Sequence, residues 1–326
     1  MSRARLGGLA AITLTSILWG TTGTAATFAP GVGPLAIGAA ALGIGGLLQA
    51  AIAVPAMRRA GPDLRRHRAV VLLGALAVAL YPLAFYSSMH LAGVAVGSAI
   101  SLASAPLASG LLERWIDRAP LSRWWMLAAG LGIAGSLALC ASTLGARPAA
   151  AAPTAHGIGL GLVAGATYAT FSWSVHRLLT AGIARPAAMG SVFGAGGALL
   201  LPVLLLTGAP LVASAQNLVV AGYMALVPMF LGYVLFGIGL TTVPASTATT
   251  VTLTEPAVAT VLAVVIVGER LGPAGWAGLC LVGLVLIVLA LAPTNLAPAE
   301  PTAPGTPVRG TPSSARRHAP STAPQR

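Results

Sequence analysis

YSSMHLAGVAVGSAISLASAP (86–106) lies over FGIGLTTVPASTATTVTLTEP (236–256) without a gap once Pro106 is placed on Pro256. The identity is low, but the order of features holds on either side. Trp19 within LWGTTGT falls on Tyr168 within TYATFSW. After a two-residue gap, Asp117 and Arg118 fall on Glu269 and Arg270, and Trp124 falls on Trp276. The chain therefore reads as two similar halves, residues 1–145 and 157–292, joined by an Ala/Pro linker over 146–156.

The composition says what those halves are made for. Of 326 residues, 56% are hydrophobic and 7% charged, with a mean hydropathy of +0.88. A soluble globular chain is about one-quarter charged, so most of this surface must meet lipid or other helices. A membrane-crossing helix needs roughly 20 apolar residues. That window recurs at about 7–28, 33–55, 70–90, 94–113, 124–144, 157–178, 187–207, 218–239, 246–267 and 273–292. The expected fold class is an all-α polytopic membrane protein of ten transmembrane helices. The alternating ten-residue segments of a membrane β-barrel are not found. From residue 293 the chain turns to Pro, Thr, Ser, Ala and Arg. Such a composition cannot bury a core, and 293–326 reads as a disordered cytoplasmic tail.

The net charge of +12 invites a nucleic-acid reading, which the distribution opposes. Every basic residue is Arg, and the Arg fall in short loops and the tail. With an internal N-terminus and ten spans, all but Arg147 and Arg270 lie on the cytoplasmic side, as the positive-inside rule requires. Both termini are then cytoplasmic. The first span is too long, and followed by too many others, to read as a cleaved signal peptide.

Five crossings per half force the second half to enter the membrane in the opposite sense. The halves are thus expected to be inverted repeats, an architecture that in many secondary transporters holds the substrate near the midplane between the repeats. The features are an aromatic-Gly pair in the first helix of the first half (LWG, 18–20) and, in both halves, a Pro in the fourth helix, an acid-Arg pair after it and a Gly-rich fifth. This pattern resembles the EamA-like repeat of the drug/metabolite transporter superfamily. The stretch TEPAVATVLAVVIVGERLGPAGWAGLCLVGLVLI (254–287) carries the resemblance best, whereas LLERWIDRAP (111–120) departs from it. The resemblance implies a basket of helices around a central cavity in the plasma (inner) membrane of a bacterium, moving small metabolites such as amino acids, amines or drugs, often outward.

One acid is expected deep in the bilayer. Glu255 lies about ten residues into the ninth span, where a charge costs about 2.5–3.5 kcal/mol on insertion scales. Ala248, Thr252 and Ala259 share its side of a continuous helix, and Pro256 removes a backbone donor beside it. Glu255 reads either as a proton-coupling or substrate-amine site, or as a structural acid bonded to a neighbouring helix. Ser101 and Ser104 on the fourth span, like Thr252, suit a polar cavity or interhelical hydrogen bonds. Trp19, Tyr81, Tyr168, Trp173 and Tyr233 fall within spans and can stack on cargo or fill the core. His90, beside Tyr86, is a possible gate or an interfacial anchor.

Trp115, Trp124, Trp125 and Trp276 read as interfacial belt residues. Glu113, Asp117 and Glu269 read as ion pairs with Arg114, Arg118 and Arg270. Gly157, Gly161 and Gly165 have the spacing of closely packed membrane helices. LGIGGLL and FGAGGALL, in the second and seventh spans, suit sliding helices or a homodimer contact. Cys140 and Cys280 read as small core residues, with no ligand spacing for a metal. No Walker motif accompanies the glycines. Expected partners are therefore a small-molecule substrate and the lipid bilayer, without cofactor or nucleic acid. A membrane-embedded enzyme would need convergent acids or His that the spans lack. A structural or lipid-handling protein without a substrate path is the alternative.

Overall fold

Proline and glycine punctuate the helices. Pro34 and Pro273 open helices directly after Gly33 and Gly272, and Pro186 lies in the first turn of another; at these positions Pro's missing N–H has no intrahelical partner to lose. The structure is a computed structural model describing residues 3–92, 94–143, 151–262 and 272–292. Its helices are α1 (Arg3–Gly20), α2 (Thr22–Thr27), α3 (Pro34–Arg59), α4 (Gly61–Arg66), α5 (Arg68–Ala92), α6 (Val94–Trp115), α7 (Arg123–Thr143), α8 (Ala151–Thr180), α9 (Arg185–Thr207), α10 (Ala215–Met224), α11 (Gly232–Leu240), α12 (Ala245–Val251), α13 (Glu255–Leu262) and α14 (Pro273–Leu291). No strand occurs among the described residues. Helix α8 ends at Gly182, whose φ of 86° suits glycine. The Ile183 amide donates to the Leu178 carbonyl and the Gly182 amide to that of Leu179, closing the helix end with a left-handed turn.

Seven helical segments are long and apolar enough to cross a membrane: 3–27, α3, α5, 155–180, α9, 215–240 and α14. The distribution of side chains agrees with that setting. Leu72, Leu76, Leu80, Leu205 and Leu206 point outward and exposed, while Ser101, Ser109, Thr249, Thr250 and Thr252 are fully inside. A water-soluble protein has the reverse preference. Within lipid, hydroxyls between helices contribute hydrogen bonds that hydrocarbon cannot offer.

Three of the sequence's spans are not continuous α-helices, the first being broken at Thr21 between α1 and α2. Between α10 and α11 the backbone forms a π-helical segment, Ala225–Leu231, containing Pro228. Between α12 and α13 it tightens into a 3-10 turn at Thr252–Thr254. The even face expected for Ala248, Thr252, Glu255 and Ala259 is thus interrupted just before Glu255.

The helix packing follows a pattern of exchange. Helix α3 packs along α9, and α7 along α14. Helix α5 packs on α8, as α1 does on α11; α6 packs on α8, as α1 does on α12 and α13. Helix α5 also meets α9, as α3 meets the π segment. The glycines explain how close these pairs come. Gly46 faces the Phe193 backbone and Gly197 that of Gly43, so LGIGGLL and FGAGGALL meet each other within the chain. A Cβ at Gly157, Gly161 or Gly165 would press on Ala92, Ser88 or Ser104, so that stripe is the close-packing surface of α8 against α5 and α6. Trp125 departs from the belt reading: it is buried, its ring lying over Gly110, whereas Trp115, Trp124 and Trp276 are exposed. Cys280 is a free, exposed thiol rather than a core residue. Arg147, Glu269, Arg270, the tail and the side chain of Cys140 lie outside the described residues.

Candidate functional site

Helices α1, α3, α5, the π segment, α11 and the start of α13 converge on Glu255. A cavity there is lined by Trp19, Thr22, Tyr81, Phe85, Tyr86 and Tyr233 together with the carboxylate, and closed by Ala41, Leu42, Pro82 and Met229. It holds about 10 Å³ of space for the centre of a water-sized sphere, room for about one water molecule. Glu255 is 8% exposed and within electrostatic reach of Tyr81, Tyr86, Tyr168 and Tyr233.

Backbone irregularity builds this site. In the π segment the Gly232 amide donates five residues back to Val227 rather than to Pro228, and the Pro228 carbonyl instead accepts from Trp19 Nε1 at 2.9 Å. Gln49 Nε2 donates to the Phe230 carbonyl at 2.8 Å, and Thr15 Oγ1 to that of Gly232 at 3.1 Å. Three side chains of the first half thus satisfy carbonyls along an irregular helix of the second. Such an irregularity persists only where partners exist for the groups it releases. The aromatic-Gly pair gains a physical meaning here. Gly232 lets the Trp19 indole approach, and Gly20 lets α1 lie against the Glu255 carbonyl and Val258.

The rings form one cluster. Trp19 lies 4.8 Å from Tyr233, 5.5 Å from Phe236 and 5.9 Å from Tyr168 between centroids. Tyr81 stacks on Phe85 at 5.5 Å and touches Tyr168 at 5.6 Å. The Tyr168 hydroxyl bonds to Thr252 Oγ1 at 2.9 Å, inside the 3-10 turn. Of the residues singled out in the sequence, Trp19, Tyr81, Tyr168, Tyr233 and Thr252 therefore gather around Glu255. Pro256 follows it, half-buried.

The others lie elsewhere. Ser101 donates to the Gly97 carbonyl and Ser104 to that of Ser101, within α6 and against α8. His90 is exposed beside a separate apolar pocket of about 310 Å³, with Ser87, Leu35 and Thr207. Trp173 belongs to an ionic cluster: its Nε1 donates to Asp117 Oδ2 at 2.6 Å, and Arg177 lies 5.0 Å over its ring. Tyr86, Phe85 and Thr22 are lining residues that sequence reading did not select. The signal for the first two was present in LYPLAFY (80–86), three aromatics and a Pro within two helical turns.

The acid-Arg readings change as well. Glu113 does not pair with Arg114: its Oε1 accepts the Ser246 amide at 2.8 Å and its Oε2 the Ser246 hydroxyl at 2.5 Å. It thereby caps the N-terminus of α12, where free amides and the helix dipole favour a carboxylate. Asp117 pairs with Arg177 at 2.5 Å rather than with Arg118. All these bonds join the first half to the second at one end of the bundle. Towards the other end the ties are uncharged: Thr21 Oγ1 with the Tyr223 hydroxyl at 2.7 Å, and Gln216 Nε2 to the Phe28 carbonyl at 2.8 Å.

Comparison with known proteins agrees with this architecture. The model of the EamA-like transporter family matches residues 6–140 and 155–291. The chain is 33% identical over 292 residues to the uncharacterized transporter YwfM of Bacillus subtilis (strain 168), covering 89% of this chain and 95% of that one. A solved crystal structure shares the fold with a TM-score of 0.69 at 19% identity, over 86% of this chain and 95% of its own.

Proposed function

The chain belongs to the EamA-like transporter family, and on that premise we propose that it is a secondary transporter of small metabolites, working outward across the plasma membrane by alternating access. Ten crossings form two inverted five-helix repeats, with both termini cytoplasmic. The exchange pattern of helix contacts supports this reading, as do the two matched segments flanking the 146–156 linker. One repeat rocks against the other, and Glu255 gains or loses a proton as the cavity changes sides. The observation that carries the proposal is the placement of Glu255: a lone carboxylate among aromatic rings, where a broken helix of the second half meets the first.

The decisive experiment is flux in proteoliposomes under an imposed pH gradient. Glu255→Gln keeps the shape of the side chain and removes its titration, and is expected to abolish the dependence on the gradient. Undiminished coupling in that variant removes the acid from the mechanism. The smallness of the cavity favours a second reading, a structural or lipid-handling membrane protein without a substrate path. Cysteine accessibility separates the two. A transporter exposes Thr22→Cys, in the cavity lining, or Thr252→Cys to a small polar reagent from one side of the membrane or the other; a closed scaffold exposes neither.

A further inference from the structure

We propose that the Glu255 cavity is a cage for a primary ammonium group carried on an apolar or aromatic body. The inference rests on the transporter reading and names the cargo of that site. Five aromatic side chains line the cavity with the carboxylate: Trp19, Tyr81, Phe85, Tyr86 and Tyr233. The negative faces of aromatic rings attract cations, most strongly where water is excluded. No Arg or His belongs to the lining. A cargo with a carboxylate of its own would bring it into a low-dielectric space already holding Glu255, with no basic side chain in the lining to offset the repulsion. A neutral cargo would leave the desolvation of Glu255 without return. A cation answers both.

The hydroxyls refine the class. Tyr86 is 6% exposed, and its buried hydroxyl lies within reach of one polar side chain, Thr22. The Thr22 hydroxyl donates to the Trp19 carbonyl at 2.7 Å, so towards Tyr86 it can only accept, which leaves the lone pairs of the Tyr86 oxygen unused. A buried oxygen with unused lone pairs that lines a cavity marks where a donating ligand group would bond. An –NH₃⁺ group supplies donors for both the Tyr86 oxygen and Glu255, which a fully alkylated ammonium cannot do. In this structure the rings lie against one another, Trp19 on Tyr233 and Tyr81 on Phe85. The ring contacts that close the space are van der Waals contacts, so admitting a cation exchanges ring–ring for ring–cation contacts.

The test is binding to the detergent-solubilised full chain by titration calorimetry, with phenethylamine, phenylalanine and phenethyl alcohol. The three share a body and differ in charge. The expected result is that phenethylamine binds, with the other two at least about tenfold weaker. Glu255→Gln should cost about 100-fold in affinity for the amine, as expected for removing one partner of a buried charge pair. Tyr86→Phe, which keeps the ring, should cost about tenfold. Thermal unfolding of each variant reports whether it folds; a Tyr86→Phe protein that melts like the parent and binds phenethylamine equally well overturns the role of the hydroxyl. Phenylalanine or the alcohol binding as tightly as the amine overturns the cage and leaves the transporter reading standing. Binding of none of the three also overturns the cage; the transporter reading then stands or falls separately on the cysteine labelling.

Discussion

Ala105–Pro106 and Glu255–Pro256 occupy aligned positions in the two halves, yet α6 runs unbroken from Val94 to Trp115 while its counterpart divides into α12, a 3-10 turn and α13. Proline alone does not account for the difference, since both segments have one. The second segment adds hydroxyls that bond back to the main chain: Thr249 to Ser246, Thr252 to Thr249 and Thr254 to Val251, each three residues earlier. Such bonds compete with the regular ladder and tighten the turn. In the aligned helix α6 the corresponding bond is Ser104 to Ser101. The aligned aromatic pair follows the same asymmetry. Tyr168 bonds to the 3-10 turn and Trp19 to the π segment, so both serve irregular backbone of the second half. Apart from the break at Thr21 between α1 and α2, where Thr21 and Thr22 bond back to Leu18 and Trp19, the first half supplies a regular frame, and the second carries the broken helices that meet Glu255.

If the frame holds the broken half in place, cutting its strongest tie should cost the most. Glu113 anchors the N-terminus of α12 from across the repeat boundary through two hydrogen bonds to Ser246. Glu113→Ala is expected to destabilise the protein by about 2–3 kcal/mol, because hydrogen bonds to a buried carboxylate are lost and an amide is left without its partner. The measurement is thermal unfolding in detergent, with Ser246→Ala as the smaller deletion. An unchanged midpoint in Glu113→Ala would mean that α12 is held by packing alone, and the frame would lose its main support.

The next pair tests the aromatic asymmetry directly. Trp19→Phe removes the donor to the Pro228 carbonyl and leaves that carbonyl buried, at an expected cost of about 1–3 kcal/mol. Tyr168→Phe removes a hydroxyl–hydroxyl bond, but Thr252 keeps its bond to the Thr249 carbonyl, so the cost should be nearer 1 kcal/mol. Trp19 should therefore outrank its aligned partner in chemical and thermal unfolding alike. Equal effects would imply that both rings matter only as volume.

What could be read in the sequence follows from which interactions are periodic. Continuous apolar windows located α1, α3, α5, α8, α9, the 215–240 segment and α14 among the membrane spans, because lipid demands about 20 apolar residues whatever the neighbours are. Glu255 was legible for the same reason: an acid in an apolar run stands out. The gathering of Trp19, Tyr81, Tyr168 and Tyr233 around it was legible only as residues within spans. The π segment and the 3-10 turn were not visible, since Pro228 and the threonines break a helix only when side chains of other helices accept the consequences. Glu113 and Asp117 were misread because each has an Arg next in sequence or nearly so. Adjacent residues on a helix point in different directions, and both carboxylates turn towards the other half instead.

The smallest effect concerns the two ends of the bundle. At one end Asp117 meets Arg177 and Trp173, while the ties towards the other end are uncharged. The Arg177 and Asp117 side chains are 42% and 31% exposed, so solvent screens their attraction, and Asp117→Asn should cost less than about 1 kcal/mol. Its value lies in how it responds to salt. Raising ionic strength should weaken the parent's ionic end and leave the uncharged end alone, so parent and Asp117→Asn should converge in stability as salt rises. The corresponding change at the other end, Tyr223→Phe, removes the bond to Thr21 and should give a difference that salt does not touch. If both differences shrink alike with salt, the charged and uncharged ends are not distinct, and the contrast between them is without physical consequence.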